Sequence, residues 1–164
     1  MRYLLLMVLI VTCGKPSKIY IQDPAQPPIE EPEQPPSDEI FQLTNKFRAS
    51  QGIGPLTYSP EWSYAATEWS RKMATSGVLS HDGFPTERIA SLKSKYPAYD
   101  TTFASGGENI LWNQSGTAKS MVDQWISSPP HRENMLRAYD LIGTGTYEYQ
   151  GRYYGTQIFI KEKF

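Results

Sequence analysis

The chain has 164 residues, a formal net charge of −1 and 39% hydrophobic residues, which bounds it to one globular domain with appendages. From Asp38 to Phe164 it carries 13 basic and 13 acidic side chains with no basic run, and that balance excludes a nucleic-acid partner held through its phosphates. The only cysteine, Cys13, excludes a disulfide-stapled domain, so stability must come from a core.

The first residues, "MRYLLLMVLIVTC", place Arg2 before an apolar run from Tyr3 to Val11, the layout of a secretory signal. That run is too short for a mature spanning helix, which needs ~20 apolar residues. Cys13 follows "Ile10-Val11-Thr12", and here the segment resembles a bacterial lipoprotein signal. The resemblance implies lipidation of Cys13 and attachment to a membrane through it, in the cell envelope; an ordinary signal peptide that contains Cys13 is the alternative. Residues 1–13 therefore read as an export signal. Residues 14–37 hold seven of the 13 prolines and few large apolar residues. In polyproline geometry, at ~3.1 Å per residue, such a spacer reaches up to roughly 70 Å. No basic residue flanks Pro27 to Pro36, so a tether is favoured over a ligand for a proline-recognition domain.

The folded domain is expected over residues 38–164. Ser37 is placed to cap a helix in which Ile40, Leu43 and Phe47 recur at helical spacing, with Gly52 and Gly54 as its exit. Ser59 and Pro60 start a second helix whose stripe of Trp62, Ala65, Ala66, Trp69 and Met73 runs to Gly77, and that period assigns the tryptophans to a core. A third helix is predicted from Thr86 to Lys95, ended by Pro97. "GGENILW" reads as a strand entered through glycines. A fourth helix near Thr117 to Ser127 places Met121, Val122 and Trp125 on one side. Pro129 and Pro130 stop it and begin another, with Ser128 as its cap. The closing "LIGTGTYEYQGRYYGTQIFIKEKF" reads as two strands around Gln150-Gly151, a hairpin. Helices around an antiparallel sheet make an α+β domain.

Both histidines stand at corners of this layout: His81 follows the second helix, and His131 lies in the first turn of a proline-started helix. The partly positive N–H groups of a helix start disfavour an imidazolium, so His131 is expected to be neutral and free to accept a proton or a metal. Glu108, after two glycines and before Ile110, is expected at the margin of a buried strand, where a carboxylate needs a partner and a histidine is a natural one. Taken singly, each histidine reads better as a capping or core-facing residue bonded to backbone; together with "GGEN" the balance changes.

The motifs "NKFR" at Asn45, "GPLTYSPEWSYAATEWS" at Gly54, "SHDGF" at Ser80, "GGENI" at Gly106, "SPPHRENML" at Ser128, "IGTG" at Ile142 and "YYGTQIF" at Tyr153 resemble, in this order, the bacterial branch of the CAP superfamily, or SCP-like extracellular domains. The resemblance implies an α-β-α sandwich with a central antiparallel sheet and a surface cleft where two histidines and two acidic residues meet. His81, Glu108 and His131 match three of those places. The fourth has no match, because "QWISSPPH" offers only Ser127 or Ser128. The resemblance also implies a divalent ion, often zinc, on the histidine pair. Zinc normally takes three or four protein ligands, so His81, His131 and a carboxylate such as Glu108 predict weak binding. Asn45, Arg48 and Asn109 are expected to hydrogen-bond between helix and strand, and Arg132 and Glu133 to be exposed. Gln157, in an apolar strand, is a candidate to orient a cleft histidine.

Three functions fit. The first is an exported, envelope-tethered binding domain whose cleft takes a lipid, a glycan or a peptide. The second is a metal-assisted hydrolase with Glu108 as general base, although the chain contains neither H-E-x-x-H nor G-x-S-x-G. The third is a structural or host-contact surface protein, with Tyr147, Tyr149, Tyr153 and Tyr154 as a contact face. The incomplete catalytic set favours binding over catalysis.

Overall fold

The computed structural model describes residues 37–163; the expected signal with Cys13 and the tether, apart from Ser37, lie outside them. The elements in chain order are α1 (Ser37–Ser50), β1 (Thr57–Tyr58), α2 (Pro60–Ser76), α3 (Thr86–Lys95), β2 (Phe103–Asn113), α4 (Ala118–Ser127), α5 (Pro129–Leu136), β3 (Leu141–Tyr149) and β4 (Arg152–Glu162). Local chemistry sets most of these limits. Ser59 is extended, its hydroxyl accepts the Trp62 amide, Pro60 occupies the first turn, and Gly77 at φ 71° ends α2 in the left-handed conformation. Thr117 caps α4 by accepting from Ser120 N–H at 3.2 Å. Ser128 holds the cap position of α5, but its side chain makes no capping bond there. Pro129 and Pro130 have already removed two of the donors that a cap would satisfy.

The sheet has the order β1-β3-β4-β2. The three long strands are antiparallel, as expected, whereas β1 runs parallel to β3 through Thr57 and Tyr58 only, so the sheet is mixed. Two residues carry no periodicity, and for that reason β1 is absent from the sequence reading. Gln150 and Gly151 join β3 to β4 with φ of 51° and 71°, the two positive values that a type I′ hairpin turn requires.

Alternation along the strands sorts the core into two layers. On one face Trp62, Ala65, Ala66 and Leu92 pack with Ile158 and Ile160. On the other, Ile40, Met121, Trp125 and Met135 pack with Leu111, Ile142 and Phe159. Helices α2 and α3 thus cover one side and α1, α4 and α5 the other, which makes an α-β-α sandwich with β4 buried on both faces. Its apolar run at Ile158-Phe159-Ile160 follows from that position.

The "IGTG" glycines are explained by packing. A Cβ on Gly143 would lie 2.2 Å from the Trp62 carbonyl carbon, and one on Gly145 2.1 Å from the Thr67 nitrogen. Helix α2 therefore rests its backbone on β3, and only glycine permits that approach. Ser63 accepts the Thr144 amide at 3.0 Å, while Ser70 donates to the Gly145 carbonyl at 3.1 Å, so the contact is bonded as well as close.

Candidate functional site

β2 is the outer strand, and its alternation sends Glu108 toward α3 and Asn109 toward α5. A Cβ on Gly107 would lie 2.6 Å from Tyr139 Oη, so the second glycine of "GGEN" makes room for the segment after α5. The Glu108 side chain is 1% exposed. A carboxylate stripped of water to that degree requires compensating donors, and three converge on it. Arg88 of α3 clasps both oxygens, Nε to Oε2 at 2.7 Å and Nη2 to Oε1 at 2.8 Å. His81 Nδ1 lies 2.9 Å from Oε1.

Arg88 is itself fixed from two further directions. Its Nη1 donates to the Asp82 carbonyl at 2.8 Å, and its guanidinium carbon lies 3.1 Å from the centroid of the Trp69 ring. The planar fork thus stacks on an indole while it holds a carboxylate in bidentate fashion, a combination that a lysine cannot reproduce. Trp69, assigned to the core by its period, is buried as expected and also serves as the platform for this cation.

Arg88 donates to both Glu108 oxygens, so Oε1 is an acceptor toward His81 as well and Nδ1 is the donor between them. The His81 side chain is 52% exposed, which leaves its Nε2 edge accessible. His131 is the third residue of α5 and half-buried. Burial lowers its pKa from the ordinary value, and the charge of His81 lowers it further. The expectation of a neutral imidazole holds, with burial as the first cause in place of the helix start. The second cause places the two rings within electrostatic reach of each other.

The backbone of His131 is held by an amide chain. Asn109 Nδ2 donates to the His131 carbonyl at 2.9 Å and to Gln157 Oε1 at 3.0 Å. Asn134 Nδ2 donates to Asn109 Oδ1 at 3.0 Å and to the Glu108 carbonyl at 3.2 Å. Gln157, expected in the cleft, is fully buried; its amide donates to Thr44 of α1 at 2.8 Å, and it reaches His131 only through Asn109. Its place on a face covered by α1 and α5 gives it no path to solvent. Asn45 and Arg48 bind loops and the end of α5 in place of strands, the first pairing with Leu56 and the second with the carbonyls of Gly54, Met135 and Arg137. Arg132 and Glu133 are exposed as expected.

A cavity of about 610 Å³ runs along Ile110 to Gln114, with Leu79, Gln124, Ser128 and His131 as its other walls. Two smaller hollows, of about 190 and 180 Å³, flank Trp69 on the α2–α3 side and include neither histidine. Ser127, the other serine at the unmatched fourth place, turns its hydroxyl back to the Gln124 carbonyl at 2.8 Å. Among the described residues no three His, Cys, Asp or Glu side chains gather in a way that would hold a metal ion. Glu108, the expected third ligand, is occupied by Arg88. Two imidazoles remain, fewer than the three protein ligands of a catalytic zinc or the four of a structural one, so the residues do not fit a resident zinc.

Arg88 is the residue that sequence reasoning missed, because "TERIASLKSK" looks like an ordinary charged helix. A signal existed. Arg88 shares a helix face with Leu92, four residues on, and a charge on the buried stripe of a helix calls for a carboxylate elsewhere.

The model of the CAP family, described as the cysteine-rich secretory protein family, matches residues 41–160. The uncharacterized protein YkwD of Bacillus subtilis is 30% identical over 111 residues, which is 67% of this chain and 42% of that protein, so the chain spans less than half of its relative. An extracellular SCP-domain protein of Bacillus anthracis aligns with a TM-score of 0.63 at 25% identity, over 76% of this chain and 40% of that one. An outer surface protein of Borrelia burgdorferi aligns with a TM-score of 0.64 at 19% identity, over 77% of this chain and 92% of that one, a likeness of fold.

Proposed function

The chain belongs to the CAP family, the cysteine-rich secretory protein family, and on that premise we propose that it is an exported binding domain whose ligand lies between His131 and the outer strand β2, close to His81. One observation carries this reading. Both oxygens of Glu108 are engaged by Arg88 and one also by His81, on a side chain 1% exposed. A general base must reach the proton it removes, and this carboxylate has its acceptor sites turned to a guanidinium. The network is therefore a rigid support for the two imidazoles, which offer hydrogen bonds to a ligand.

Export is supported by the apolar N-terminal run, and by relatives described as extracellular in B. anthracis and as an outer surface protein in B. burgdorferi. In this reading Cys13 carries the lipid anchor and the proline-rich segment holds the domain clear of the membrane. The test is mass spectrometry of what copurifies with the native protein from its own envelope. A small molecule retained by the wild type and lost in His131→Ala supports binding. Turnover of labelled peptides or muropeptides that vanishes in Glu108→Gln would replace it with hydrolysis.

A further inference from the structure

The feature of the cleft left unused is its backbone. Because β2 ends the sheet, every second residue turns its N–H and C=O away from β4. The Glu108 carbonyl is one such group, taken by Asn134 at 3.2 Å, and by the same alternation the next belong to Ile110 and Trp112. Among the described residues no side chain or loop bonds to the main chain of these two. The consecutive residues Ile110 to Asn113 all line the 610 Å³ cavity. Strand side chains alternate between faces, so a cavity that touches consecutive residues follows the edge of the strand, along its main chain. β2 also carries neither Lys nor Pro, the residues that commonly guard an outer strand.

Resting on the binding reading above, we propose that the occupant is an uncharged extended peptide that adds to the free edge of β2, pairs with the main chain of Ile110 and Trp112, and sets one apolar side chain between Leu79 and Trp112. The outward groups of Ile110 and Trp112 stand two residues apart, about 6.8 Å, the repeat of an added strand. Leu79 and Trp112 are 43% and 40% exposed and both line the cavity, which supplies the apolar pocket. An acyl chain in the same place would leave main-chain donors and acceptors desolvated without partners. No Asp, Glu, Lys or Arg lines the cavity, so a charged group inside it finds no counter-charge among the walls. A sugar has only part of the Trp112 ring for stacking, since the Arg152 guanidinium lies over it at 4.7 Å.

The experiment follows histidine and β2 amide resonances of the domain during titration with three probes: pools of capped, uncharged octapeptides with one position fixed as Leu or Phe; a hexamer of N-acetylglucosamine; and phosphatidylcholine vesicles. Two variants separate main chain from side chain. Trp112→Pro removes an outward N–H at an edge position where proline is tolerated, whereas Trp112→Ala keeps it. The expected result is peptide binding that weakens about tenfold or more in Trp112→Pro and clearly less in Trp112→Ala. If Trp112→Pro fails to fold, alternate N-methylation of the best peptide replaces it, with the same loss expected. Equal loss in both variants, or unchanged binding of the methylated peptide, overturns the proposal. Self-association that Trp112→Pro abolishes would assign the edge to a second copy and also overturn it. Shifts caused only by the oligosaccharide or the vesicles would end the peptide proposal and leave the binding cleft standing; no shift with any probe would end both.

Discussion

β3 and β2 flank the same central strand, and the chain treats their backbones in opposite ways. β3 is sealed: Gly143 and Gly145 bring α2 into main-chain contact, and the Ser63 hydroxyl takes an amide beyond the end of β1. β2 is left open beyond Glu108, with a cavity along its edge that the half-buried His131 helps to line. Both strands carry a glycine-bearing motif, so motif strength does not separate packing from function. What separates them is what a Cβ would meet: helix backbone on β3, but on β2 at Gly107 a tyrosine hydroxyl beside the cleft network.

Arg88 joins the two regions, because it is buried like the sealed face and serves the open one. Arg88→Met should cost about 3–5 kcal/mol in denaturant unfolding, since it removes the bidentate partner of the buried Glu108 and leaves His81 as the side-chain donor. The double variant Arg88→Met/Glu108→Gln should recover part of that loss by removing the charge. On the sealed face, Gly145→Ala should cost roughly 3 kcal/mol, because the added atom meets helix backbone that cannot rotate away. Ligand binding by the folded fraction should be unchanged in Gly145→Ala, and a cleft defect there would erase the distinction between the two regions.

Acid should act on the open region. The folded-state pKa of His131 is below the ordinary 6.5, so between those two values the unfolded chain binds more protons than the folded one. This contribution to stability is complete above the ordinary value and is lost as pH falls from there toward the folded pKa. Unfolding measured from pH 7 downward should show the slope in the wild type and a flatter one in His131→Gln. His81→Ala should have the smallest effect on stability, under about 1 kcal/mol, because its ring is 52% exposed.

The elements that the sequence disclosed are those with punctuation: Ser59-Pro60 to Gly77, Thr86 to Lys95, and Gln150-Gly151. β1 was illegible because two residues have no period, and the start of β2 because "FASGG" has no apolar alternation and contains a register shift between Phe103 and Ser105. Within the site, His81, Glu108 and His131 stood out as rare or exposed chemistry in motif positions. Arg88 did not, since a helical arginine is ordinary until its burial is known. Gln157 was visible but misplaced, because an apolar strand with one polar residue gives no indication of which face that residue occupies when both faces are covered.

The account depends on His131, which lines the cavity along β2, and on His81, 50 positions earlier in the chain, which reaches that ring electrostatically without lining the cavity. The most direct measurement is the titration of the His131 ring by NMR in the wild type and in His81→Ala. A His131 pKa below the ordinary value that rises part of the way back when His81 is removed, with the remainder held down by burial, is the predicted result. A His131 titration that His81→Ala leaves unmoved would place the two imidazoles in separate environments and contradict the account.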